Sequence, residues 1–407
     1  MKARRATSIL LRDEAAAAHD IRLSRLLRSM LAVAAGAGIL CSTKLWISSH
    51  RLFPLTPVWG WLPQPPFPLD YILAAAVIAS LAAIAIARKP APYIKVFLAI
   101  VAVLALLDQS RWQPWLLQYA VMFGTFLLPW HKHRKAESIV GESAAALHAC
   151  RLFMVCTYFY SGLEKLGYGF VTVLPDMVSP VFHLMHVDVA GISNRVLFPL
   201  AMVLALVECA SGILLAFPRT RNAAVACLIL MHLSILSWLG PWGANWNYVV
   251  WPWNMLMIGL LILLFWHKPV WGLRDMWRSH PYVKAIGYIF GVLPLLTLAG
   301  LWDSYLGFSL YSGNIKSAVV TINPNRLAEV PLSVRRYTMP DGVIDIDRWC
   351  YTELGVPIYP ETRIFVSAGR QVAVWLGPYA TVRVIELGRP NPITGERDSI
   401  TIDPRKF

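Results

Sequence analysis

Long apolar stretches alternate with short polar ones over the first three quarters of the chain. Apolar runs of about 17 to 25 residues can cross the hydrocarbon of a bilayer as helices, in which every backbone amide is bonded within the segment. The pattern predicts about nine such helices, and we therefore expect an all-α polytopic membrane bundle. The predicted runs are residues 30–47, 69–87, 93–107, 115–130, 147–166, 196–217, 223–239, 248–266 and 285–302.

The pattern changes after the ninth run. Residues 317–322, 380–387 and 398–402 are rich in β-branched side chains, which is typical of strands, and residues 391–395 supply turn residues for a hairpin between the last two. Residues 345–354 read as a short helix that begins at an Asp cap and stops at Gly355. The sequence therefore predicts three parts: a basic N-terminal segment (1–28), the bundle (29–305) and a small extramembrane α+β domain (306–407).

Two connections between the apolar runs have a character of their own. Residues 53–68 hold six prolines, which exclude a regular helix, and two tryptophans, which favour the headgroup level. We therefore expect this segment to form a cap on the outward-facing surface of the membrane. Residues 167–194 are semi-polar, and we expect them on the same side as a re-entrant or interfacial helix.

Composition agrees with lipid as the solvent. The chain is 57% hydrophobic and only 15% charged, with a mean hydropathy of +0.53. The net charge of +14 does not indicate nucleic acid, because the basic residues lie beside the apolar runs and not in one patch. The basic residues precede the first run and lie in alternate loops, which is the distribution expected of the cytosolic side of a membrane protein. Those in the loops include Arg88, Lys89, Lys132, Arg134, Lys135, Arg219, Arg221, Lys268, Arg274 and Arg278.

This charge distribution predicts a topology. The N-terminus is expected in the cytoplasm and the C-terminal domain outside it, periplasmic or extracellular, with a bacterial inner membrane as the setting. The first run follows roughly thirty polar and charged residues and is long, which favours a retained signal anchor. The six cysteines form no CxxC or zinc spacing, so we predict no metal site.

Ionisable side chains at membrane depth are functional candidates. Tyr158, Ser161 and Lys165 share one helical face in the fifth run, and Gly162 allows another helix to approach closely. We assign Lys165 as a catalytic candidate and Tyr158 and Ser161 as substrate-binding ones. Alternatively, Lys165 lies near the outer end of its helix and only extends to the headgroups.

Two further polar groups lie deep in their runs. His232 is near the centre of the seventh run and is a second catalytic candidate; the alternative is a neutral histidine bonded to a neighbouring helix. Glu208 lies at similar depth in the sixth run, where a structural partner such as His232 would account for it.

The start of the eighth run also carries amides and aromatic rings. Helical spacing places Asn247, Trp251 and Asn254 on one face, and such a surface would suit a planar ligand such as a quinone. An interfacial tryptophan belt is the alternative. We take all three as substrate-binding candidates.

The loop between the third and fourth runs completes the set of candidates. Asp108 (catalytic), with Arg111 and Trp112 (substrate-binding), is expected to face outward and to meet Lys165 at one mouth. An architectural ion pair of Asp108 with Arg111 or with Lys165 is an equal alternative.

These residues resemble the HTTM family, the membrane module shared with vitamin K-dependent gamma-carboxylase. The family's third loop has Leu-Leu-Asp and a nearby tryptophan, as in Leu106-Leu107-Asp108 and Trp112. Its fifth span has a tyrosine, a small residue with glycine and a Lys-Lys-Leu, which Tyr160 to Leu166 resembles. The resemblance, over residues 44–266, implies that Lys165 is the catalytic base and that His232 matches a later histidine of the family.

The chain departs from the family at defined positions. Gln113-Pro114-Trp115 stands where the carboxylase has Asn-Asn-His, Glu164 replaces the first lysine, and the C-terminal domain is much shorter. Vitamin K-driven glutamate carboxylation is therefore not expected.

Three hypotheses remain open. The first is a membrane enzyme, carboxylase-like or quinone-linked, whose outward-opening site uses Lys165 as base or electrostatic anchor and binds a lipid-soluble small molecule. The second is a non-catalytic scaffold or accessory subunit whose C-terminal domain binds a protein partner. The third is a DoxX-like partner of a redox system, against which the missing redox cysteines count.

Overall fold

The computed structural model describes residues 2–128, 140–186, 191–267 and 272–407. In this part of the chain helices dominate, and one small sheet lies near the C-terminus. The helices are α1 (Lys2–Cys41), α2 (Thr43–Trp46), α3 (Leu69–Ile86), α4 (Ala91–Leu107), α5 (Pro114–Thr125), α6 (Val140–Glu164), α7 (Tyr168–Leu184), α8 (Asn194–Leu214), α9 (Arg221–Leu239), α10 (Val250–Leu264), α11 (Leu273–Ser279), α12 (Pro281–Gly291), α13 (Leu332–Arg335), α14 (Ile346–Leu354) and α15 (Thr362–Leu376).

Among the described residues, five helical segments are long and apolar enough to cross a membrane. They are Ala18–Cys41, Leu69–Ile86, Asn194–Leu214, Arg221–Leu239 and Pro281–Ala299, the last joining α12 to the 3-10 helix Leu293–Ala299. Shorter apolar helices occupy Ala91–Leu107 and Val250–Leu264. A bundle of membrane-length helices is therefore confirmed, whereas the number nine is not.

The fourth and fifth predicted runs differ most from a simple span. The fourth is the short helix α5, and residues 129 and 130 at its predicted end lie outside the described residues, as do the basic loop residues Lys132, Arg134, Lys135 and Lys268. The fifth is α6, a long helix that packs against α1, α8 and α12. Because neighbouring helices cover it, α6 tolerates polar residues such as Arg151, whose Nε donates to the Leu264 carbonyl at 2.9 Å.

Two glycines bring α6 and α8 into backbone contact. A Cβ atom on Gly162 would lie 2.7 Å from the Ala205 carbonyl oxygen, and one on Gly212 would lie 2.5 Å from the Phe159 nitrogen. Side chains would keep the two helices apart, so the glycines set both their separation and their register. That register decides which residues of α8 face Lys165.

The sheet has four antiparallel strands in the order β2-β1-β3-β4, from β1 (Ser317–Ile322), β2 (Val343–Ile344), β3 (Val382–Leu387) and β4 (Ser399–Ile402). The three predicted strands, the turn at 391–395 and the helix at 345–354 are confirmed. Asp345 caps α14 by accepting from the Arg348 nitrogen at 2.9 Å, and Gly355 ends it with a φ of +74°. The amphipathic α15, which packs on β1 and β3, was not predicted.

Polar contacts tie this α+β part to the bundle. Glu353 accepts from the backbone nitrogens of Leu52 and Phe53, the latter at 3.0 Å, and Arg363 donates to the Val58 carbonyl at 2.7 Å. The proline-rich segment 53–68 is irregular, as expected, and α7 supplies the helix expected within 167–194. The end of the bundle that holds these loops is therefore covered by the C-terminal residues.

Candidate functional site

A cavity of about 100 Å³ lies among α5, α6, α8, α9 and α10. It is mostly apolar, and most of its polar groups come from positions that the sequence singled out. These are Tyr158, Ser161, Lys165, Glu208, His232 and Asn254, and Gln118, Thr157 and Tyr311 line the cavity in addition. Tyr158 and Ser161 on α6, with Lys165 directly after its last residue, do line one cavity as predicted, and His232 and Asn254 from two other helices line it too.

Lys165 is fully occupied by hydrogen bonds. Its Nζ donates to Glu208 Oε2 at 2.9 Å, to Ser161 Oγ at 2.7 Å and to the Ser161 carbonyl at 3.1 Å. An ammonium has three protons, so this set satisfies it as a cation. Lys165 is thus held inside the bundle by an ion pair and does not reach solvent through an extended side chain. Glu208 has Lys165 as its ion partner, where the sequence suggested His232.

His232 lies between a phenol and an amide. Its Nε2 is 2.7 Å from the Tyr158 hydroxyl, and its Nδ1 is 2.6 Å from Asn254 Oδ1. The Asn254 amide is oriented by its own Nδ2, which donates to the Val250 carbonyl at 2.8 Å, so Oδ1 can only accept. The neutral imidazole with its proton on Nδ1 fits both contacts, with Tyr158 donating to Nε2. This relay joins α6, α9 and α10.

Gln118 is one of the polar wall residues that the sequence did not indicate. Its Oε1 accepts from Trp253 Nε1 at 2.9 Å, and its Nε2 contacts Met257 Sδ at 3.2 Å. A single amide in the short, otherwise apolar helix α5 was a weak signal. The depth of Gln118 in its apolar run would have made it a candidate for the site, as the depth of His232 did.

One wall of the cavity comes from the segment that follows the last predicted run. Phe308 and Tyr311 line the cavity, and both adopt positive φ angles, +64° and +59°. Between them, Ser309 donates to Glu164 Oε2 at 2.8 Å. Bulky residues rarely adopt this conformation, which persists where surrounding contacts enforce it. Glu164 therefore holds this wall in place instead of entering the cavity beside Lys165.

The structure does not place Asp108 with Lys165. The Asp108 carboxylate pairs with Arg51 at 2.5 Å and accepts from the Ser110 nitrogen at 3.1 Å, and both charged side chains are at most 1% exposed. Arg111 donates to the carbonyls of Leu45 and Leu104 at 2.8 and 2.6 Å. These contacts hold the loop together. Asp108 does form an architectural ion pair, but with Arg51, a partner that the sequence did not suggest.

Replacing Asp108 with asparagine should lower the free energy of unfolding by about 2 kcal/mol, because the buried guanidinium of Arg51 loses its counter-ion while the shape is kept. Unfolding of the detergent-solubilised protein, followed by far-UV circular dichroism, measures this. The control is Glu329→Gln, which weakens an exposed ion pair with Arg326 and should leave stability nearly unchanged. Equal stability of both variants would contradict the contribution of the Asp108 pair.

The remaining candidates lie elsewhere. Arg111 and Trp112 line a second, almost wholly apolar cavity of about 360 Å³. Trp251 donates to the Leu239 carbonyl at 2.8 Å. Asn247 lines a third cavity. It precedes α10, which begins only at Val250, and its φ is +54°. The helical spacing that joined Asn247 to Asn254 therefore does not apply.

Among the residues that the structure describes, no group of three or more His, Cys, Asp or Glu side chains is placed to hold a metal ion. Comparisons with known proteins found no matching family model, no similar curated protein and no similar solved structure.

Proposed function

We propose that this chain is an integral membrane enzyme that binds a quinone-like, lipid-soluble molecule in the cavity lined by Lys165. The observation that carries the proposal is the convergence of Lys165, Glu208, Tyr158, His232 and Asn254, from four helices, on one void. Buried polar groups in a membrane bundle are rare and mark ligand or proton pathways.

The size of the cavity limits the ligand. A void of about 100 Å³ is of the order that takes up a single six-membered ring. The second cavity shares Pro114 with the first and is nearly all apolar, which supports a ligand with a ring and an apolar tail. In this proposal Arg111 and Trp112, the predicted substrate-binding residues of the loop, lie beside the tail.

The contacts of Lys165 favour an electrostatic anchor over a base. A lysine whose three protons are donated to Glu208 and Ser161 has no lone pair to accept a proton. A ligand oxygen can replace the longest of these contacts, to the Ser161 carbonyl, and negative charge that develops there would be stabilised by the ammonium. Tyr158 and His232 form a hydrogen-bonded pair that can pass a proton to or from the same ligand.

The membrane arrangement that we propose keeps nine crossings, a cytoplasmic N-terminus in a bacterial inner membrane and a periplasmic C-terminal domain. The alternation of basic loops supports it. We also propose that the chain is related to the HTTM module, on the basis of the motif around Lys165. Its reaction would differ from vitamin K-driven carboxylation, because Glu164 is engaged with Ser309.

A non-catalytic scaffold or accessory subunit is the second candidate. One observation favours it: Lys165, His232 and Asn254 already have protein partners. Fully bonded buried networks also serve to fix helix packing, without any ligand.

Extraction of the purified protein with organic solvent, followed by mass spectrometry and ultraviolet absorbance, tests the proposal. We expect a quinone to co-purify with the wild-type protein and with Lys95→Met, a control at an exposed lysine of α4, and to fall at least about tenfold in Lys165→Met and His232→Leu. Lys165→Arg should not restore it, because a planar guanidinium does not replace a compact ammonium.

Size-exclusion profiles of all variants check that a loss of ligand is not caused by unfolding of the variant. Wild-type protein without any lipid-soluble molecule, or equal content in Lys165→Met, would support the scaffold instead.

A further inference from the structure

A cavity of about 1010 Å³ lies where the bundle meets the C-terminal domain, and we call it the junction cavity. Its walls come from three segments: residues 41–44 after α1, residues 244–248 before α10 and residues 345–355 around α14. None of the residues that line the Lys165 cavity lines this one, so the junction cavity needs an explanation of its own.

The junction cavity lies at the ends of two apolar helices. Cys41 is the last residue of the segment Ala18–Cys41, which is long and apolar enough to cross a membrane, and residues 244–248 precede the shorter apolar helix α10. Residues at the end of a membrane-crossing helix lie at the level of the lipid headgroups. Leu40, next to Cys41, is 64% exposed, which provides an apolar surface beside the cavity. A lipid with its headgroup in the cavity would have its acyl chains at that surface.

Unpaired charges of both signs line the cavity. Lys44 and Arg348 are exposed cations, and Asp345 and Asp347 are partly exposed anions. In the described part of the chain, none of these four side chains belongs to an ion pair. They border one cavity at separate points, so they favour a ligand that itself carries both a positive and a negative group.

Each of the two aspartates has one carboxylate oxygen left for a ligand. Through Oδ1, Asp345 accepts from the Arg348 nitrogen at 2.9 Å and Asp347 accepts from the Ile358 nitrogen at 3.0 Å. Neither Oδ2 accepts a hydrogen bond from the described residues, and neither is sealed from the cavity, because both side chains are partly exposed. Glu353, by contrast, already accepts from two backbone nitrogens. The two aspartates are therefore the carboxylates that can meet a cationic group.

Aromatic rings stand beside these charges. Trp246 packs edge to face on Tyr351 of α14 with ring centroids 4.5 Å apart, and both rings line the cavity. Tyr248, also in the wall, is 44% exposed. The faces of such rings attract organic ammonium groups, as in the aromatic cages that bind choline. The rings therefore favour an ammonium as the positive group of the ligand.

The surroundings of Asp347 lack a positive charge. Protein atoms exclude most water from its carboxylate and raise its pKa to about 6, although the hydrogen bond from the Ile358 nitrogen acts in the opposite direction. The titratable groups that face it are all acids, namely Asp345, Cys350, Tyr305, Tyr311 and Tyr351. An ammonium group in the cavity would supply the missing charge and keep Asp347 ionised.

We propose that the junction cavity binds the headgroup of a zwitterionic phospholipid. The ammonium group lies between Asp345, Asp347 and the faces of the rings. The phosphate bonds to Lys44 and Arg348, whose cationic groups make strong hydrogen bonds to phosphate oxygens. The site is independent of the ligand at Lys165. It places lipid recognition at the seam between the bundle and the C-terminal domain.

Native mass spectrometry of the full-length protein in detergent, with added phosphatidylethanolamine or phosphatidylglycerol, tests this site. We expect phosphatidylethanolamine to bind at least about tenfold more tightly than phosphatidylglycerol. The double variant Asp345→Asn/Asp347→Asn should reverse this preference, because Lys44 and Arg348 then meet an anionic headgroup without opposing charge. Asparagine keeps the hydrogen bonds to the Arg348 and Ile358 nitrogens, so the helix cap and the fold are retained.

Two further measurements address the phosphate and the ammonium separately. Arg348→Gln should weaken the binding of both lipids about tenfold, because the phosphate loses a charge-assisted hydrogen bond. The affinity of the wild type for phosphatidylethanolamine should fall from about pH 7 to about pH 5, since Asp347 takes up a proton, and the double variant should lack this fall. The controls are Asp341→Asn and Arg383→Gln, the same changes at exposed residues outside the cavity, and they should bind as the wild type does.

Several results would overturn the proposal. They are a wild-type protein that binds no phosphatidylethanolamine or prefers phosphatidylglycerol, and a double variant that keeps the wild-type preference. Binding of soluble phosphoethanolamine without binding of the lipid would likewise reject a phospholipid as the ligand.

Discussion

Replacing Glu208 with leucine should lower the free energy of unfolding by about 3 kcal/mol or more. Glu208 and Lys165 are paired at 2.9 Å, and their side chains are 9% and 13% exposed. Removing one partner leaves the other charge buried in the bundle without a counter-ion, which is the costliest way to break such a pair. Unfolding in bicelles by steric trapping gives the free energy directly.

The double variant Glu208→Leu/Lys165→Met separates architecture from chemistry. With both charges gone, two apolar side chains of similar length pack together, and stability should return to within about 1 kcal/mol of the wild type. The double variant should not bind quinone, because the anchoring ammonium of Lys165 is missing. Glu329→Leu, which breaks the exposed pair with Arg326, is the control and should leave stability nearly unchanged.

Two outcomes of these measurements would contradict the ion pair or the proposed ligand site. Unchanged stability of Glu208→Leu would mean that the ion pair is not formed in the folded protein. A double variant that still binds the ligand as tightly as the wild type would remove Lys165 from the proposed site.

The elements of the fold were largely predictable because local patterns determine them. Apolar runs predicted the positions of the helices in the bundle, and the Asp345 cap and Gly355 correctly bounded α14. Helical spacing also worked at the end of α6, where Tyr158, Ser161 and Lys165, the residue directly after the helix, line the same cavity. In each case the information lies within a few residues of the chain, where side-chain direction follows the helix period.

The partners across helices were not predictable in the same way. The pairing of Lys165 with Glu208 depends on how α6 and α8 are aligned, and that alignment is set by contacts between residues far apart in sequence. Asp108 and Arg51 are likewise joined only by tertiary structure. For Asn247 the helix period was applied to a residue outside the helix, because no sequence signal showed that α10 begins at Val250.

The ionisable residues of the bundle therefore divide by what surrounds them. Asp108 pairs with Arg51 at the covered end of the bundle, which stabilises the connections there. Lys165 and Glu208 border a cavity instead. Only a polar group beside empty space has room to meet a ligand, so depth in the membrane alone did not distinguish structural from functional residues.

Gly162→Ala should disrupt the same site without touching any polar group. The added Cβ would lie well inside van der Waals contact with the backbone of Cys209 and 2.7 Å from the Ala205 carbonyl oxygen. Backbone atoms cannot rotate away as a side chain can, so α6 and α8 must separate, at a cost of about 3 kcal/mol or more. Because the Lys165 to Glu208 contact spans these two helices, we expect ligand content to fall together with stability.

The matched control is Gly36→Ala in α1, where an added Cβ meets nothing within 4 Å. That change should leave stability equal or up to about 1 kcal/mol higher, because alanine favours a helix over glycine. Gly212→Ala should behave like Gly162→Ala, since its Cβ would lie 2.5 Å from the Phe159 nitrogen on the opposite side of the same contact. If both contact glycines tolerate alanine as Gly36 does, α6 and α8 are farther apart than described, and the assignment of Glu208 as the partner of Lys165 fails with them.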